Sequence, residues 1–586
     1  MYAPRPTLKN LAFPILTLAL MLTAFDAAAM PGFFIGKGSA KRSAYSSHVV
    51  VMKKGDMTAV SVQADYDGPL DPFAIVLAVP GDVTLERVQT LKREFVDRVE
   101  QMSAPRFHEF WEMDPCEPGP AEQEWERRLT ASTESNFLGG GNPTMPTGSE
   151  KKVDKELFLK VDTEFKQGEF KFSMLGEGET LDSWAKSKGF TVPNGASAAL
   201  APYLAEGMKI LLAEVDDKRV ELVGGGRAQL SAIRYWTEKP LDKLPERLSL
   251  LSSPGKQELL IYVLDPEKRY EAKNYTNVFP PTNIEVDFVV KERMGEFYAG
   301  LHDMMLAKNP QSFINEYAWH TAGCGEPCAN APLWIHEILT LGGDVFETKV
   351  PEEERNPKVP ALTADEKKAL KKEWDELKLK PKERRDKEKL LMEERKTVAR
   401  NKGLLERHKY IVTRLHHRYD SASMPKDPEI GPAGGHVKGG VDLPKGPKGE
   451  LPTNIASAPV SKLQTRYVFF HPWIGMQKCD KPERYKWGKA PRTYRGLRKI
   501  WVAEDMSRRS RTQIKPAAVV KTPIAALGLS GVPDVPPDGG TDGGAGAEAA
   551  STGKCGCSFP AGRGLLPSAA LAGLLLCAVS LRRRKV

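Results

Sequence analysis

Little in the chain marks a catalyst or a reader of nucleic acid. Its 586 residues contain no Gly-x-Ser-x-Gly elbow, no phosphate-loop Gly-Lys-Ser/Thr and no dinucleotide-binding glycine pattern, motifs that expose a nucleophile or cradle a phosphate on a tight turn. Gly139–Gly141 and Gly224–Gly226 therefore read as turns, and Ser183, Ser187 and Ser249 stand in no context that supplies a base. No Cys/His finger spacing occurs, nor any basic stripe interleaved with aromatics, and the formal net charge of +9 is small against 85 basic and 76 acidic residues. No nucleic-acid partner is expected. Internal repeats are missing, and between residues 26 and 564 no apolar run approaches the length of a membrane span.

The two ends are different. Arg5 and Lys9 precede the apolar run Leu11–Phe25, and Ala27-x-Ala29 follows it. That is the order of a secretory signal cleaved after Ala29 by signal peptidase. At the other end Leu565–Leu581 is stopped by Arg582-Arg583-Arg584-Lys585; a helix of that length reaches about 25 Å, the lower limit for a span, with its basic cluster on the cytoplasmic side. Residues 515–554, dominated by Pro, Gly, Ala and Asp, read as a disordered tether. The expectation is an exported, membrane-anchored protein of the cell envelope, with a C-terminal transmembrane helix in membrane lipid and other envelope or cell-surface proteins as candidate partners.

Seven cysteines sort by position: Cys116, Cys324, Cys328 and Cys479 fall in the body, Cys555 and Cys557 in a short motif before the terminal run, Cys577 within it. Export permits disulfides, and four body cysteines allow three connectivities. The preferred set is Cys324 with Cys328 and Cys116 with Cys479. The alternative for the close pair is zinc, with His320 and His336 flanking it, although a lone CxxxC is a poor zinc spacing. No metal, other cofactor or catalytic residue is assigned.

Strand-like runs open the body at 47–52, 57–66 and 73–80, bounded by Lys-Gly-Asp, Asp-Gly-Pro and Pro-Gly-Asp turns. From Glu86 the period changes: Val88, Leu91, Phe95, Val99 and Met102 predict an amphipathic helix. Further strands are predicted at 208–215, 257–264, 284–290, 410–415 and 464–470, helices at 294–307 and 333–341, and a Pro/Gly-rich loop at 422–452. Between 351 and 400 stand 16 basic and 13 acidic residues, with a capping box at Thr363–Glu366 and Pro381 interrupting the helix that follows it. Irregular alternation of strands and helices favours α+β, with antiparallel or mixed sheets and packed helices. The divisions are a signal peptide at 1–29, a first ectodomain part at 30–349, a charged helical insertion at 350–405, a second ectodomain part at 406–514, the linker at 515–554 and a tail at 555–586.

Candidate metal chemistry is thin. His108-Glu109-Phe110-Trp111-Glu112 begins like a zinc-peptidase helix but carries Glu112 where the second histidine belongs, and His336-Glu337 has Thr340 there. His408, His416 and His417 form the densest imidazole group; on a strand, His416 and His417 would point to opposite faces and share no ion. The aromatic pieces 107–111, 317–320 and 469–473 read as packing surfaces, with a recognition patch as the alternative.

Several of these pieces, in order, resemble the bacterial domain-of-unknown-function family DUF2330: Pro31-Gly-Phe33-Phe34, Phe73–Pro80 followed by Ala104-Pro-Arg-Phe107, Glu316–Trp319 running into Cys324-x-x-x-Cys328, Val412–His416 with Tyr419, and Arg466–Val468 running into His471-Pro-Trp473 and Cys479. The chain departs from the family pattern at Met30 and Ile35, where no cysteine accompanies Gly-Phe-Phe. The resemblance implies an envelope location and a fold, and no catalytic residue. The tail, with Cys555-Gly-Cys557, the apolar run and the basic end, resembles the MYXO-CTERM surface-sorting signal of myxobacteria. That resemblance implies a C-terminal sorting protease, lipid attachment at Cys555 or Cys557, as in a lipoprotein, and the outer-membrane surface as destination. The leading expectation for function is a non-catalytic binding, adhesive or scaffolding role, and the alternative is a secreted hydrolase or metal-dependent enzyme with an unrecognised site.

Overall fold

The computed structural model describes residues 31–116, 168–176, 178–220, 222–223, 227–253, 255–323, 332–488, 503 and 514–521. The middle of its largest sheet runs Ser312–His320, Ile411–Tyr419, Gln257–Asp265, Ser46–Lys54, Met57–Asp67. We label Gln257–Asp265 β1, Ser312–His320 β2 and Ile411–Tyr419 β3. β1 runs parallel to Ser46–Lys54, and the other neighbours in this group are antiparallel, so the sheet is mixed.

Side chains alternate across a strand. Val49, Val51, Leu259, Ile261 and Val263 enter one core, while Val50, Met52, Leu260, Tyr262 and Leu264 enter another. Covering both faces is what makes these strands read as continuous apolar runs. The first face packs on a four-stranded antiparallel sheet, Gly32–Gly36, Phe73–Val79, Lys209–Val215 and Phe170–Met174, through Phe34, Ile75, Leu77 and Leu211. The far side of that small sheet meets Trp184 and Leu200 from helices Leu181–Lys188 and Ala196–Ala205. The second face of the large sheet is covered by helix Arg93–Ser103, through Val96, Val99 and Met102, and by Ile338, Leu341 and Phe346.

A third sheet joins Ile284–Glu285, Arg466–His471, Arg106–Glu112 and Trp487–Gly488. Its Phe107, Tyr467 and Phe469 pack on Phe297 and Leu301 of helix Met294–Lys308, labelled α1. Each such side chain, fully buried, contributes about 1.5–3 kcal/mol, and together they fix α1 close to β2 and β3.

The α+β architecture agrees with the expected class, with differences in detail. Val88–Leu91 is a strand paired with Ala232–Thr237, and the helix begins only at Arg93. Ile284–Glu285 is a short strand, after which Asp287 accepts from the Val289 N–H and turns Phe288–Val290 into a 3-10 helix. The loop 422–452 contains strands Ile430–Pro432 and His436–Gly439. The charged segment forms helices Ala364–Glu376 and Pro381–Arg407, packed through Leu370, Trp374, Leu391 and Met392. Pro381 opens the second helix at its first turn, where its missing N–H costs nothing.

The transmembrane element of the expected architecture needs correction. No helix among the described residues is long and apolar enough to cross a membrane, and the long helix Pro381–Arg407 is densely charged. Residues 565–581, on which that expectation rested, lie outside the described residues, as do the signal segment, the body of the tether and Cys555 and Cys557.

Candidate functional site

The polar residues that converge are buried between α1 and the large sheet. β3 places His416 opposite Leu260 of β1 and Ile314 of β2. Two residues from Leu260 on the same face, β1 carries Glu258, paired in register with Arg418. On β2 the register shifts between Asn315 and Tyr317, leaving Glu316 as the extra residue. Such a bulge re-aims a side chain. Here the Glu316 carboxylate reaches His416 and Arg414. α1 supplies Tyr298 and His302, four residues apart and therefore on one helical face.

His416 is held from both sides. Its Nδ1 lies 2.7 Å from Glu316 Oε1, and its Nε2 lies 2.7 Å from Glu258 Oε2. Arg414 Nε donates to Glu316 Oε2 at 2.6 Å, and the Tyr298 hydroxyl donates to Glu316 Oε1 at 2.7 Å. The His302 ring lies beside His416, tilted by 31°, with 4.1 Å between centroids. Arg418 approaches Glu258 at 3.4 Å and reaches Asp303 on α1 at 3.0 Å. Glu258, His302, Glu316, Arg414 and His416 are all at most 2% exposed.

Burial alone would push Glu316 up, but the charges of His416 and Arg414 and their hydrogen bonds outweigh it and hold the carboxyl below its usual range. Burial likewise disfavours a charged His416, yet Glu316 and Glu258 win and raise its pKa. In the metal-free protein the two carboxylates favour the protonated form of His416, which with the Arg414 guanidinium offsets their charge and lets so polar a group sit inside the protein.

One donor atom from each of Glu258, His302 and His416 lies within 4.8 Å of the others. Ligands at zinc distances of about 2.0–2.2 Å stand about 3.3 Å apart, so small side-chain adjustments bring the three to a common ion. Glu316 behind His416 supplies the carboxylate that fixes the tautomer of a metal-bound histidine.

Of the residues singled out from sequence, His416 belongs to this cluster and the others are elsewhere. His108 and Glu112 lie on strand Arg106–Glu112, not on a helix. Glu112 accepts from Arg484 at 2.7 Å and from the Tyr485 N–H at 2.8 Å, while Glu109 binds His471 at 2.7 Å and Lys291 at 2.9 Å. Glu337 pairs with Arg98 at 2.7 Å, and His408 with Glu347 at 2.7 Å. A disulfide joins Cys116 to Cys479; Cys324 and Cys328 lie outside the described residues. Sequence reasoning missed Glu258 and His302. The available signal was an acid and an imidazole at buried positions of largely apolar segments, Gln257–Asp265 and Met294–Lys308.

No curated protein matches the chain. Among solved structures, the crystal structure of baculovirus P35 aligns over 41% of this chain and 70% of that one, at 9% identity and a TM-score of 0.18, too low to carry an argument. The family model for uncharacterized proteins conserved in bacteria, DUF2330, matches residues 25–430, which include the whole buried cluster. The chain belongs to the DUF2330 family.

Proposed function

We propose that this chain is an exported, metal-dependent protein, with Glu258, His302 and His416 as the protein ligands of one divalent ion. The observation that carries this reading is the convergence of three donors from well-separated segments of the chain within 4.8 Å. Two imidazoles and a carboxylate suit zinc better than calcium or magnesium, which prefer all-oxygen shells. Three protein donors leave a fourth position, the count typical of catalytic zinc sites and not of closed structural ones. This favours a metal-dependent enzyme over an adhesive or scaffolding protein. A bound ion would supply Lewis acidity at that position. The chain's own part is orientation: Glu316 holds Nδ1 of His416, Arg414 and Tyr298 hold Glu316, and Nε2 is presented beside Glu258.

The test is metal analysis of the purified mature chain, before and after chelation and titration with Zn²⁺ or Co²⁺. One equivalent per chain is expected, lost in His302→Asn and Glu258→Gln variants whose circular dichroism is unchanged. Azide should shift the visible spectrum of the cobalt form if the fourth position accepts an outside ligand. A chain that takes up no stoichiometric ion overturns the metal reading, and a cobalt spectrum indifferent to azide overturns the enzymatic one. Export rests on residues 1–29, and N-terminal mass analysis should find the mature chain starting at Met30.

A further inference from the structure

A second site lies apart from the buried cluster and needs no metal. A cavity of about 520 Å³ is lined by Glu267, Lys268, Arg269 and Lys273 on one side and by the segment 432–436 on the other. That volume falls within the range of small-molecule sites. The two walls are tied together: Tyr270–Ala272 pairs with Ile430–Pro432, the Ala433 N–H donates to the Arg269 carbonyl at 2.9 Å, and Arg269 Nε donates to the Gly435 carbonyl at 2.7 Å.

The wall chemistry is one-sided. Lys268, Arg269 and Lys273 face a single lining carboxylate, Glu267, and the balance stays positive after counting Glu271, which pairs with Lys273 at 2.8 Å and lies 3.9 Å from Arg269 Nη1. Arg269 is the built part: its side chain is 4% exposed, with the guanidinium 5.5 Å from the Phe279 ring. A guanidinium held in this way puts a fixed, delocalised positive charge in the wall, the charge that attracts a phosphate or carboxylate. His436, whose Nδ1 meets Ser461 Oγ at 2.9 Å, adds a ring donor to the wall. A Cβ added at Gly434 would meet nothing within 4 Å, so the backbone there leaves room, and Gly435 has φ +91°, a left-handed turn that glycine adopts without strain.

We propose that this cavity binds a small organic anion through its phosphate or carboxylate oxygens, with Arg269 as the anchoring group and Lys268, Lys273 and His436 as the mobile donors. The volume exceeds what a bare oxyanion fills, which is why the ligand is an organic one.

Titration calorimetry on the full chain with glucose 6-phosphate, glucuronate, inorganic phosphate and glucose tests this. At least one of the two organic anions should bind, glucose should not, and binding should weaken with added salt. The anion preferred, sugar phosphate or sugar acid, names the source of the oxygens. Lys268→Gln combined with Lys273→Gln should lower the affinity at least tenfold; both lysines are exposed, so the fold should survive, and circular dichroism checks that it does. Arg269→Lys, which keeps the charge and loses its fixed, delocalised placement, should weaken binding as well. The proposal is overturned if no organic anion binds, if glucose binds as well as glucose 6-phosphate, if inorganic phosphate binds more tightly than either organic anion, or if the double lysine variant binds like the parent.

Discussion

His416 and His417 are consecutive residues of one strand whose pKa values are moved in opposite directions. Both are buried, but His416 lies 2.7 Å from each of two carboxylates and its pKa is raised, whereas burial pushes His417 down to about 4. The strand's two-residue period puts His417 on the other face, among the rings of Phe313, Tyr275 and Tyr419. A neutral imidazole among aromatic rings is close in character to an apolar side chain, so His417→Phe should cost no more than about 1.5 kcal/mol at neutral pH. In the metal-free protein, His416→Phe removes the partner that both Glu258 and Glu316 hold at 2.7 Å and should cost about 3–5 kcal/mol. Urea midpoints of the two metal-free variants decide; equal losses would refute the assignment of opposite shifts.

Glu246 gives the clearest pH dependence. It is fully buried, neither carboxyl oxygen has a hydrogen-bond partner among the described residues, and burial, then the nearby Asp427, raises its pKa well above the usual range. Below about pH 4.5 both folded and unfolded chains hold this proton; above it the unfolded chain releases the proton while the folded chain keeps it. The folded form therefore loses about 1.4 kcal/mol per pH unit from this group as pH rises from 4.5 toward the folded-state pKa. Glu246→Met, similar in volume, should remove the slope, so its gain over the parent should be larger at pH 7 than at pH 4. A gain equal at both pH values would show that the carboxyl ionises in place.

Much of the sheet is legible because it is buried on both faces: runs such as Val49–Met52 and Leu259–Leu264 leave no polar phase to confuse the reading. Val88–Leu91 is misread for a physical reason. Its apolar spacing continues smoothly into Phe95, Val99 and Met102, and only a partner far along the chain, Ala232–Thr237, makes it a strand. The same applies to His108 and Glu112, whose helical spacing loses its meaning once Arg466–His471 pairs with their segment. The alternation of His416 and His417 is visible locally. The convergence of His416 with Glu258, His302 and Glu316 is not, because each arrives from a different element and Glu316 depends on a bulge that no local signal announces.

The charged helices offer a local test. Thr363 Oγ1 accepts from the Glu366 N–H at 3.3 Å while Glu366 Oε2 accepts from the Thr363 N–H at 2.8 Å. Both bonds satisfy donors that the first turn of a helix cannot pair internally. Thr363→Ala should cost about 1 kcal/mol, read as faster amide exchange in residues 364–376 with little change in β3. Uniform acceleration across both would mean that the helix and the sheet unfold as one unit.

Glu316 and Arg414 form the fully buried pair on which the cluster turns, 2.6 Å apart, with Arg414 also donating to the Glu100 carbonyl at 3.2 Å. Removing one partner leaves a charge inside the protein with too little opposition, whereas removing both with apolar groups of similar volume takes away the desolvation cost together with the attraction. Arg414→Met alone should cost about 3–5 kcal/mol. Glu316→Met alone should be at least as damaging, because His416 and Tyr298 lose a partner too. The double variant should be markedly more stable than the sum of the single losses implies. Chemical denaturation of all four proteins measures the coupling. A coupling near zero would mean that Glu316 is held mainly by His416 and Tyr298, and that Arg414 serves the backbone of helix Arg93–Ser103 instead.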